Sequence, residues 1–326
     1  MCSNHFSPRL ELQSAGLFCC SKTGIKFQVT RPVTIVYELE SWRKYEALIF
    51  KLQSGYEILG PLFNIKTDLE PGVVSAVYLP HCLCLKGFKE DMSVIKCAHI
   101  IFNITLETPT RVEPYYVVLE KPTFSSIGVL LYPLMWLKDR ITKFVPLHGM
   151  VLIYWRISGI TNPDHRMFRI HLFLMPCNLS VEMDIHNQEK NLGYDRIRKP
   201  PQIDSLYIGK TYDVKASGNA SVSPETLLFR CSYVSELYPY TEITVDGKNA
   251  SEGIAISIED GNISVWRAKV DRGDIMDLES AMSGLSVQEG AIGGMAGPSV
   301  EELCVSRQST AMVHSYPVKG KLTSMM

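Results

Sequence analysis

The sequence predicts an all-β protein made of two consecutive antiparallel β-sandwich subdomains followed by a disordered tail. Three observations support this prediction. Short runs of β-branched and aromatic residues recur along most of the chain, helical periodicity is scarce, and 326 residues is about twice the length of a typical domain. Strands without long intervening helices pair as antiparallel sheets, and two such sheets bury their apolar faces against each other.

The predicted strands form two groups on either side of a turn-rich break at 121–128. In the first group the clearest runs are Ile25–Val29, Val33–Leu39, Val73–Leu79 and Val112–Leu119. In the second group they are Met150–Trp155, Phe168–Leu174, Leu227–Cys231 and Ile263–Val270. Glycine, proline, asparagine and aspartate separate the runs, as is typical of turns. The best short helical pattern covers Leu134–Phe144.

The composition changes near the C-terminal end of the chain. From Asp271 onward only Tyr316 is aromatic, and residues 290–297 are rich in glycine. Such a segment buries too little apolar surface to offset the entropy lost on ordering. We therefore expect the tail to be disordered.

Charge and hydropathy exclude two classes of function. The formal net charge is −1, so no basic surface indicates a partner that is a nucleic acid. The longest apolar stretch, Gly128–Leu137, is interrupted by Pro133 and is far shorter than a membrane span requires. We expect neither nucleic acid nor membrane among the partners.

Two features favour the cytoplasm, with the nucleus as an additional compartment. The N-terminus shows no basic segment followed by an apolar one, and the nine cysteines are odd in number and scattered. Five glycosylation sequons favour the alternative, an extracellular two-sandwich binding protein. These sequons begin at Asn103, Asn178, Asn219, Asn249 and Asn262.

Motifs for phosphate, dinucleotide or metalloprotease chemistry are absent, and no cofactor is implied. One spacing is metal-like, because Cys82-x-Cys84 is followed by Cys97-x-His99. On two paired strands these four side chains could surround a tetrahedral zinc ion. The alternative is that the cysteines are small core residues, which is the usual role of a free cysteine. We expect no metal here.

Three other residues look ordinary when each is considered alone. His99 ends an apolar run, as many core histidines do, and Glu107 precedes a Thr-Pro loop where a carboxylate is normally solvated. Ser125 lies in a Thr-Phe-Ser-Ser turn. Neither spacing nor composition assigns chemistry to any of them.

A resemblance to a known family does assign chemistry to these three residues. The matching segments are Phe27–Glu38, Trp42, Gly60–Lys66, Glu70–His81, Ala98-His99, Pro109–Val112, Val118–Leu131, Arg198–Pro201, Trp266–Val270 and Gly273-Asp274. In order and spacing the chain resembles the function-to-find domain (FIIND) of inflammasome sensors that carry a caspase-recruitment domain. The similarity spans about Leu10 to Met276. The chain is closer to the short sensors of this family, which lack NACHT and leucine-rich regions. The segment after Asp271 is too short to be a caspase-recruitment domain.

The resemblance implies a single-turnover serine autoprotease that acts on itself and has no external substrate. The scissile bond matches Phe124–Ser125, with Ser125 as nucleophile, His99 as base and Glu107 as the carboxylate that orients it. The implied subdomains are 1–124 and 125–276, with the tail at 277–326. Attack by Ser126 instead would move the cut by one residue. The chain departs from the family at Ile100, where an aromatic residue is expected, and at Ser126, where a proline commonly follows the nucleophile.

The resemblance also implies partners and a role in innate immunity. The cleaved halves stay associated without a covalent link, and loss of the N-terminal half frees the C-terminal half to assemble and trigger caspase-dependent cell death. Implied partners are the chain's own cleaved half, cytosolic dipeptidyl peptidases, and related sensors or a self-oligomer formed through the C-terminal subdomain. The alternative is an uncleaved scaffold or decoy of the same fold that lacks a signalling domain.

Overall fold

A computed structural model describes nine segments of the chain and two further single residues. These are residues 9–52, 56–66, 70–86, 88, 91–132, 145–158, 167–200, 205–231, 238–246, 253–271 and 274. The predicted helix at Leu134–Phe144 and the predicted tail at 277–326 lie outside the described residues.

The first group of strands ends at residue 131. It comprises β1 Arg9–Leu12, β2 Gly16–Cys19, β3 Lys26–Val29, β4 Val33–Glu40, β5 Glu57–Ile58, β6 Leu62–Lys66, β7 Val74–Pro80, β8 Ile95–Ile100, β9 Ile104–Glu107, β10 Arg111–Glu113, β11 Tyr116–Glu120 and β12 Ser126–Leu131. A 3-10 helix, Trp42–Tyr45, leads into the short helix α1, Glu46–Lys51. A second 3-10 helix covers Met92–Val94.

The second group begins at residue 146. It comprises β13 Pro146–Ser158, β14 Met167–Pro176, β15 Asp195–Ile197, β16 Ser205–Tyr207, β17 Thr211–Ala216, β18 Ser221–Ser223, β19 Thr226–Leu228, β20 Thr241–Asp246, β21 Ile254–Asp260 and β22 Ile263–Val270. One helix, α2 at Leu179–Asn191, connects β14 to β15.

The described strands form four sheets, two in each group. The first group gives a seven-stranded sheet in the order β1-β4-β6-β12-β8-β9, with β5 beside β12, and a five-stranded sheet in the order β10-β11-β7-β3-β2. The second group gives a six-stranded sheet, β15-β13-β14-β20-β18 with β16 beside β13, and a four-stranded sheet, β19-β17-β21-β22. Every strand pair among the described residues is antiparallel, so the predicted fold class is confirmed.

The two faces of the seven-stranded sheet are buried by different neighbours. Alternate side chains such as Cys97 and Ile127 join the main apolar core, which also includes residues of the five-stranded sheet. The intervening residues, including Ala98 and Leu130, pack with Trp42 in a separate cluster beneath the first 3-10 helix and α1. Both faces are therefore covered, which explains why β12 is buried along its whole length.

Strand β12 determines how the chain divides between the two sandwiches. It pairs with β6 on one side and β8 on the other, so it is an interior strand of the first sandwich. The implied division at 124/125 therefore separates two polypeptide segments but not two sets of sheets. The next described strand, β13, starts the second sandwich.

Candidate active site

Three neighbouring strands bring Ser125, His99 and Glu107 to one face of the seven-stranded sheet. His99 on β8 lies opposite Ile127 of β12, and Ser125 precedes Ile127 by two residues. On the other side of β8, Cys97 lies opposite Glu107, two residues from His99. Because residues two apart on a strand share a face, all three side chains lie on the face of the main core.

The three side chains form a chain of contacts. The Oγ of Ser125 lies 3.3 Å from Nδ1 of His99, and Nε2 of His99 lies 2.9 Å from Oε2 of Glu107. An ionised carboxylate can only accept a hydrogen bond, so Nε2 carries the ring hydrogen in this arrangement. The lone pair of Nδ1 then faces the serine hydroxyl. The geometry matches a nucleophile, a general base and an orienting carboxylate.

Burial differs along this chain of contacts. The side chain of His99 is 9% exposed, whereas that of Glu107 is 49% exposed. Ser125 is partly buried, and its hydroxyl also lies 3.3 Å from the carbonyl oxygen of Ser126, which competes with His99 as an acceptor. The imidazole is thus shielded from water while the carboxylate remains solvated.

The backbone before the site contains one residue in a conformation that favours glycine. Lys121 has a φ of 49°, and its amide donates a hydrogen bond to the carbonyl of Ser75. Neither Phe124 nor Ser125 has a positive φ, and the peptide bond between them is not cis. The left-handed conformation therefore lies three residues before Phe124.

Ser126 points to the opposite face of the sheet and meets a second polar group. Its Oγ donates a hydrogen bond of 2.5 Å to Oε2 of Glu40, the last residue of β4. The hydroxyl of Tyr45 donates to the same carboxylate oxygen at 2.9 Å and lies 3.2 Å from the Ser126 Oγ. Neither a sequence motif nor the family resemblance indicates Glu40, because its contact with Ser126 depends on the order of the strands.

The Glu40 carboxyl is buried, and burial alone would raise its pKa. Hydrogen bonds from Lys44, Ser126 and Tyr45 outweigh that effect, so the pKa lies below its ordinary value. The group is consequently a carboxylate at neutral pH.

The cysteines and the histidine of the metal-like spacing make other contacts. Cys82 and Cys97 are buried in the main core, Cys84 is partly buried, and His99 contacts Ser125 and Glu107. Within the described part of the chain, no group of three or more histidine, cysteine or acidic side chains could hold a metal ion.

The sequons and the apolar stretches can also be compared with the structure. Asn178 is buried, and its side chain caps the start of α2 by accepting a hydrogen bond from the amide of Ser180, so it is not available to a glycan in the folded chain. Asn103, Asn219 and Asn262 are exposed, whereas Asn249 lies outside the described residues. None of the helices in the described segments has the length and hydropathy of a membrane span.

The fold and the site together define a protein of two antiparallel sandwiches with a serine, a histidine and a glutamate on one face of its first sandwich. Comparison with known families matches both parts. The model of the FIIND (Function to find) family matches residues 2–136, and that of the UPA-FIIND domain matches residues 147–270. The chain belongs to the FIIND family, as its sequence predicted.

Similar proteins include multidomain proteins of rodents. The chain is 34% identical over 268 residues to NACHT, LRR and PYD domains-containing protein 1b allele 3 of Mus musculus. It is 35% identical over 274 residues to NACHT, LRR and PYD domains-containing protein 1a allele 1 of Rattus norvegicus. Each match covers 82% of this chain but only 22% and 21% of those proteins, so the chain spans about a fifth of the curated relatives it matches.

Proposed function

We propose that this chain is a FIIND module that cuts its own backbone between Phe124 and Ser125. The observation that carries the proposal is the contact of the Ser125 hydroxyl with His99, whose other ring nitrogen is hydrogen-bonded to the carboxylate of Glu107. A serine hydroxyl is a weak nucleophile at neutral pH and needs a base to accept its proton. The side chain of His99 is oriented for that task.

The proposed reaction has two steps. As Nδ1 of His99 takes the hydroxyl proton, Oγ of Ser125 attacks the carbonyl carbon of Phe124. The carbon–nitrogen bond breaks, the Ser125 nitrogen gains a proton as a free amine, and an ester joins Phe124 to Oγ. Water then hydrolyses this ester to a carboxylate and restores the hydroxyl. Each molecule cuts once, so the reaction is maturation and not turnover.

The described contacts favour an association of the two products that persists after cleavage. The C-terminal product would keep β12, whose hydrogen-bonding partners β6 and β8 belong to the N-terminal product. Further contacts come from the start of α2, where the side-chain Nδ2 of Asn178 donates to the carbonyl of Gly60 at 2.9 Å. The amide of Leu62 donates to Oγ of Ser180 at 3.0 Å. An interior strand and these buried polar contacts need no covalent link to persist.

Family membership supports a role as a regulator of inflammasome assembly and caspase-dependent cell death. In this proposal the C-terminal fragment assembles once the N-terminal half is removed. Its partners are the cleaved half, cytosolic dipeptidyl peptidases, and related sensors or further copies of this chain. The site of action is the cytoplasm, with the nucleus as an additional compartment.

Electrophoresis under denaturing conditions tests the cleavage directly. The pure wild-type chain is expected to separate into a fragment of 124 residues and one of the remaining 202 of the 326. Ser125→Ala is expected to remain whole, because it lacks the attacking hydroxyl. Ser221→Ala, which removes an exposed strand hydroxyl in the second sandwich, is the matched control and is expected to cut normally. A wild-type chain that stays whole under native conditions contradicts self-cleavage.

The second candidate is an uncleaved scaffold or decoy of the same fold. The observation in its favour is the ordinary backbone of Phe124 and Ser125, together with the competing contact of the Ser125 hydroxyl with the Ser126 carbonyl. An amide without backbone strain resists the acyl shift because of its resonance. A single band for wild type and Ser125→Ala alike would favour this candidate.

A further inference from the structure

The first residue of β12 is held on the face opposite to the candidate active site. Ser125 faces His99, whereas Ser126 faces Glu40 across the intervening strand β6. The two serines share a peptide bond, so a contact that fixes Ser126 also limits where the Ser125 hydroxyl can lie.

We propose that Glu40 is a positioning residue for this self-cleavage. Through the hydroxyl of Ser126 it fixes the start of β12, and this keeps the Ser125 hydroxyl within reach of His99. The inference rests on the proposed function. It adds Glu40 to the proposed mechanism, although the contacts of the Glu40 carboxylate lie on the face of the sheet opposite to His99.

The surroundings of Glu40 are those of a fixed group. Burying a carboxylate is unfavourable unless hydrogen bonds compensate, and here four donors surround it. Lys44 Nζ lies 2.6 Å and Asn64 Nδ2 lies 3.4 Å from Oε1, while Ser126 and Tyr45 donate to Oε2. Because Tyr45 also contacts Ser126, the three side chains form a closed triangle. A satisfied buried network of this kind restricts movement of its members.

The same contacts argue against Ser126 as a second nucleophile with Glu40 as its base. Such a reaction would attack the carbonyl of Ser125, which accepts a hydrogen bond of 3.1 Å from the amide of Ile65. That carbonyl is therefore held beside β6, and an acyl shift would have to break this hydrogen bond. Placement of Ser125 is the role that the geometry favours.

The experiment follows the cleavage of full-length chains made by cell-free translation. Glu40→Gln and Ser126→Ala are each expected to slow cleavage about tenfold to a hundredfold, since a small misplacement of reacting groups has effects of that size. The double variant is expected to be no slower than the slower single variant, because both changes break the same contact between Glu40 and Ser126. Ser126→Thr keeps the hydroxyl and is expected to retain the wild-type rate within a few-fold.

Glu38→Gln is the matched control. Glu38 lies on the same face of β4 and pairs with Lys66, and its substitution is expected to leave the rate unchanged. The pH profile separates positioning from proton transfer. With His99 still the base, Glu40→Gln is expected to lower the plateau rate without moving the inflection. If Glu40→Gln does not fold, Tyr45→Phe takes its place, and a severalfold slowing is expected because it removes two of the three contacts of the triangle and leaves that between Ser126 and Glu40.

Wild-type rates in Glu40→Gln and Ser126→Ala would overturn the proposal, as would additive effects in the double variant. A shifted inflection would also overturn it, as would a product that mass spectrometry shows to begin at Ser126. Cleavage in wild type with no effect of these variants rejects the positioning role alone. An intact wild-type chain, indistinguishable from Ser125→Ala, rejects both this role and the proposed function.

Discussion

Each sandwich contains a histidine paired with a glutamate, and the two pairs differ in what the second ring nitrogen meets. In the first sandwich, His99 contacts Glu107 through Nε2 and faces the Ser125 hydroxyl with Nδ1. In the second, Nδ1 of His171 lies 2.8 Å from Oε2 of Glu189, and Nε2 lies 3.4 Å from Oε2 of Glu242. One ring has a serine hydroxyl as its neighbour, whereas the other lies between two carboxylates.

The surroundings of the two rings differ as well. The ring of His171 lies between Tyr194 and Tyr240, with centroid distances of 4.0 and 4.1 Å, and Glu189 is fully buried on α2. Glu107, in contrast, is half exposed on an edge strand. A histidine–carboxylate pair is therefore not a sign of catalysis by itself. The group beyond the ring determines whether the pair can move a proton or only fix a helix.

The largest expected effect separates the two histidines by activity. His99→Gln is expected to slow cleavage by at least about a thousandfold, because it removes the base. His171→Gln is expected to cut at close to the wild-type rate under conditions in which it is folded. Time courses on denaturing gels measure both, and slow cleavage in a folded His171→Gln chain would contradict the distinction drawn here.

The carboxylate of the first pair is expected to matter for the rate and much less for folding. Glu107→Gln is expected to slow cleavage about a hundredfold, since an amide neither holds the tautomer nor stabilises the imidazolium as a carboxylate does. Glu113→Gln is the control, because Glu113 is a partly exposed carboxylate on β10, the next strand along the chain but part of the five-stranded sheet, and is paired with Arg111. Equal rates for the two variants would remove Glu107 from the mechanism.

The second pair is expected to matter for stability. In a Ser125→Ala background, which keeps every chain whole, His171→Gln is expected to lower the free energy of unfolding by about 3 kcal/mol, because it leaves a buried carboxyl without its partner. His99→Gln in the same background is expected to lower the free energy of unfolding by less, since Glu107 remains solvated. Urea titrations measure both, and the reverse order would contradict the comparison.

A third histidine sharpens the comparison through pH. Burial lowers the pKa of His81 from 6.5 to about 4, and the ring is held neutral because Nδ1 accepts a hydrogen bond from the Leu83 amide while Nε2 donates to the Glu113 carbonyl. Below pH 6.5 the unfolded chain takes up a proton that the folded chain does not. Stability is therefore expected to fall as the pH drops from 6.5 towards about 4, by about 3 kcal/mol in total.

Urea titrations of Ser125→Ala over that pH interval test this expectation. The additional change His81→Gln is expected to flatten the dependence while lowering stability at neutral pH. An unchanged slope in the His81→Gln chain would assign the pH dependence to other groups.

Much of the fold could be predicted from local patterns. The predicted strand Ile263–Val270 coincides with β22, and Phe168–Leu174 lies within β14. The predicted strand Val112–Leu119 was wrong in one respect, because it is a hairpin of β10 and β11 in which Glu113 lies opposite Tyr116. Pro114, which cannot donate to a sheet ladder, was the signal for that turn.

Helix α2 was not predicted, because its sequence is largely polar and Val181 and Ile185 are its only buried apolar residues. Its ends do carry signals, since Asn178 caps the start and Gly193 follows the end with a φ of 76°. Without a strong apolar stripe, these two signals were not sufficient.

The site shows what a sequence alone does not contain. The roles proposed for His99, Glu107 and Ser125 came from the family resemblance, and the register of β9, β8 and β12 explains why these residues meet. The pair of Glu40 and Ser126 is 86 residues apart in sequence and on strands that are not neighbours, so neither spacing nor periodicity could indicate it. Contacts of this kind depend on the topology.

Strand β12 acquires a further meaning if the chain is cut before it. Its six residues, Ser126–Leu131, are all buried and none is charged. They would then form the leading end of one polypeptide inserted into the sheet of another, as a donor strand is. Extraction of that strand would expose a short apolar segment with unpaired backbone groups on both sides, which is prone to adhere to a similar segment. A free C-terminal fragment would therefore stay monomeric only while a partner covered this segment.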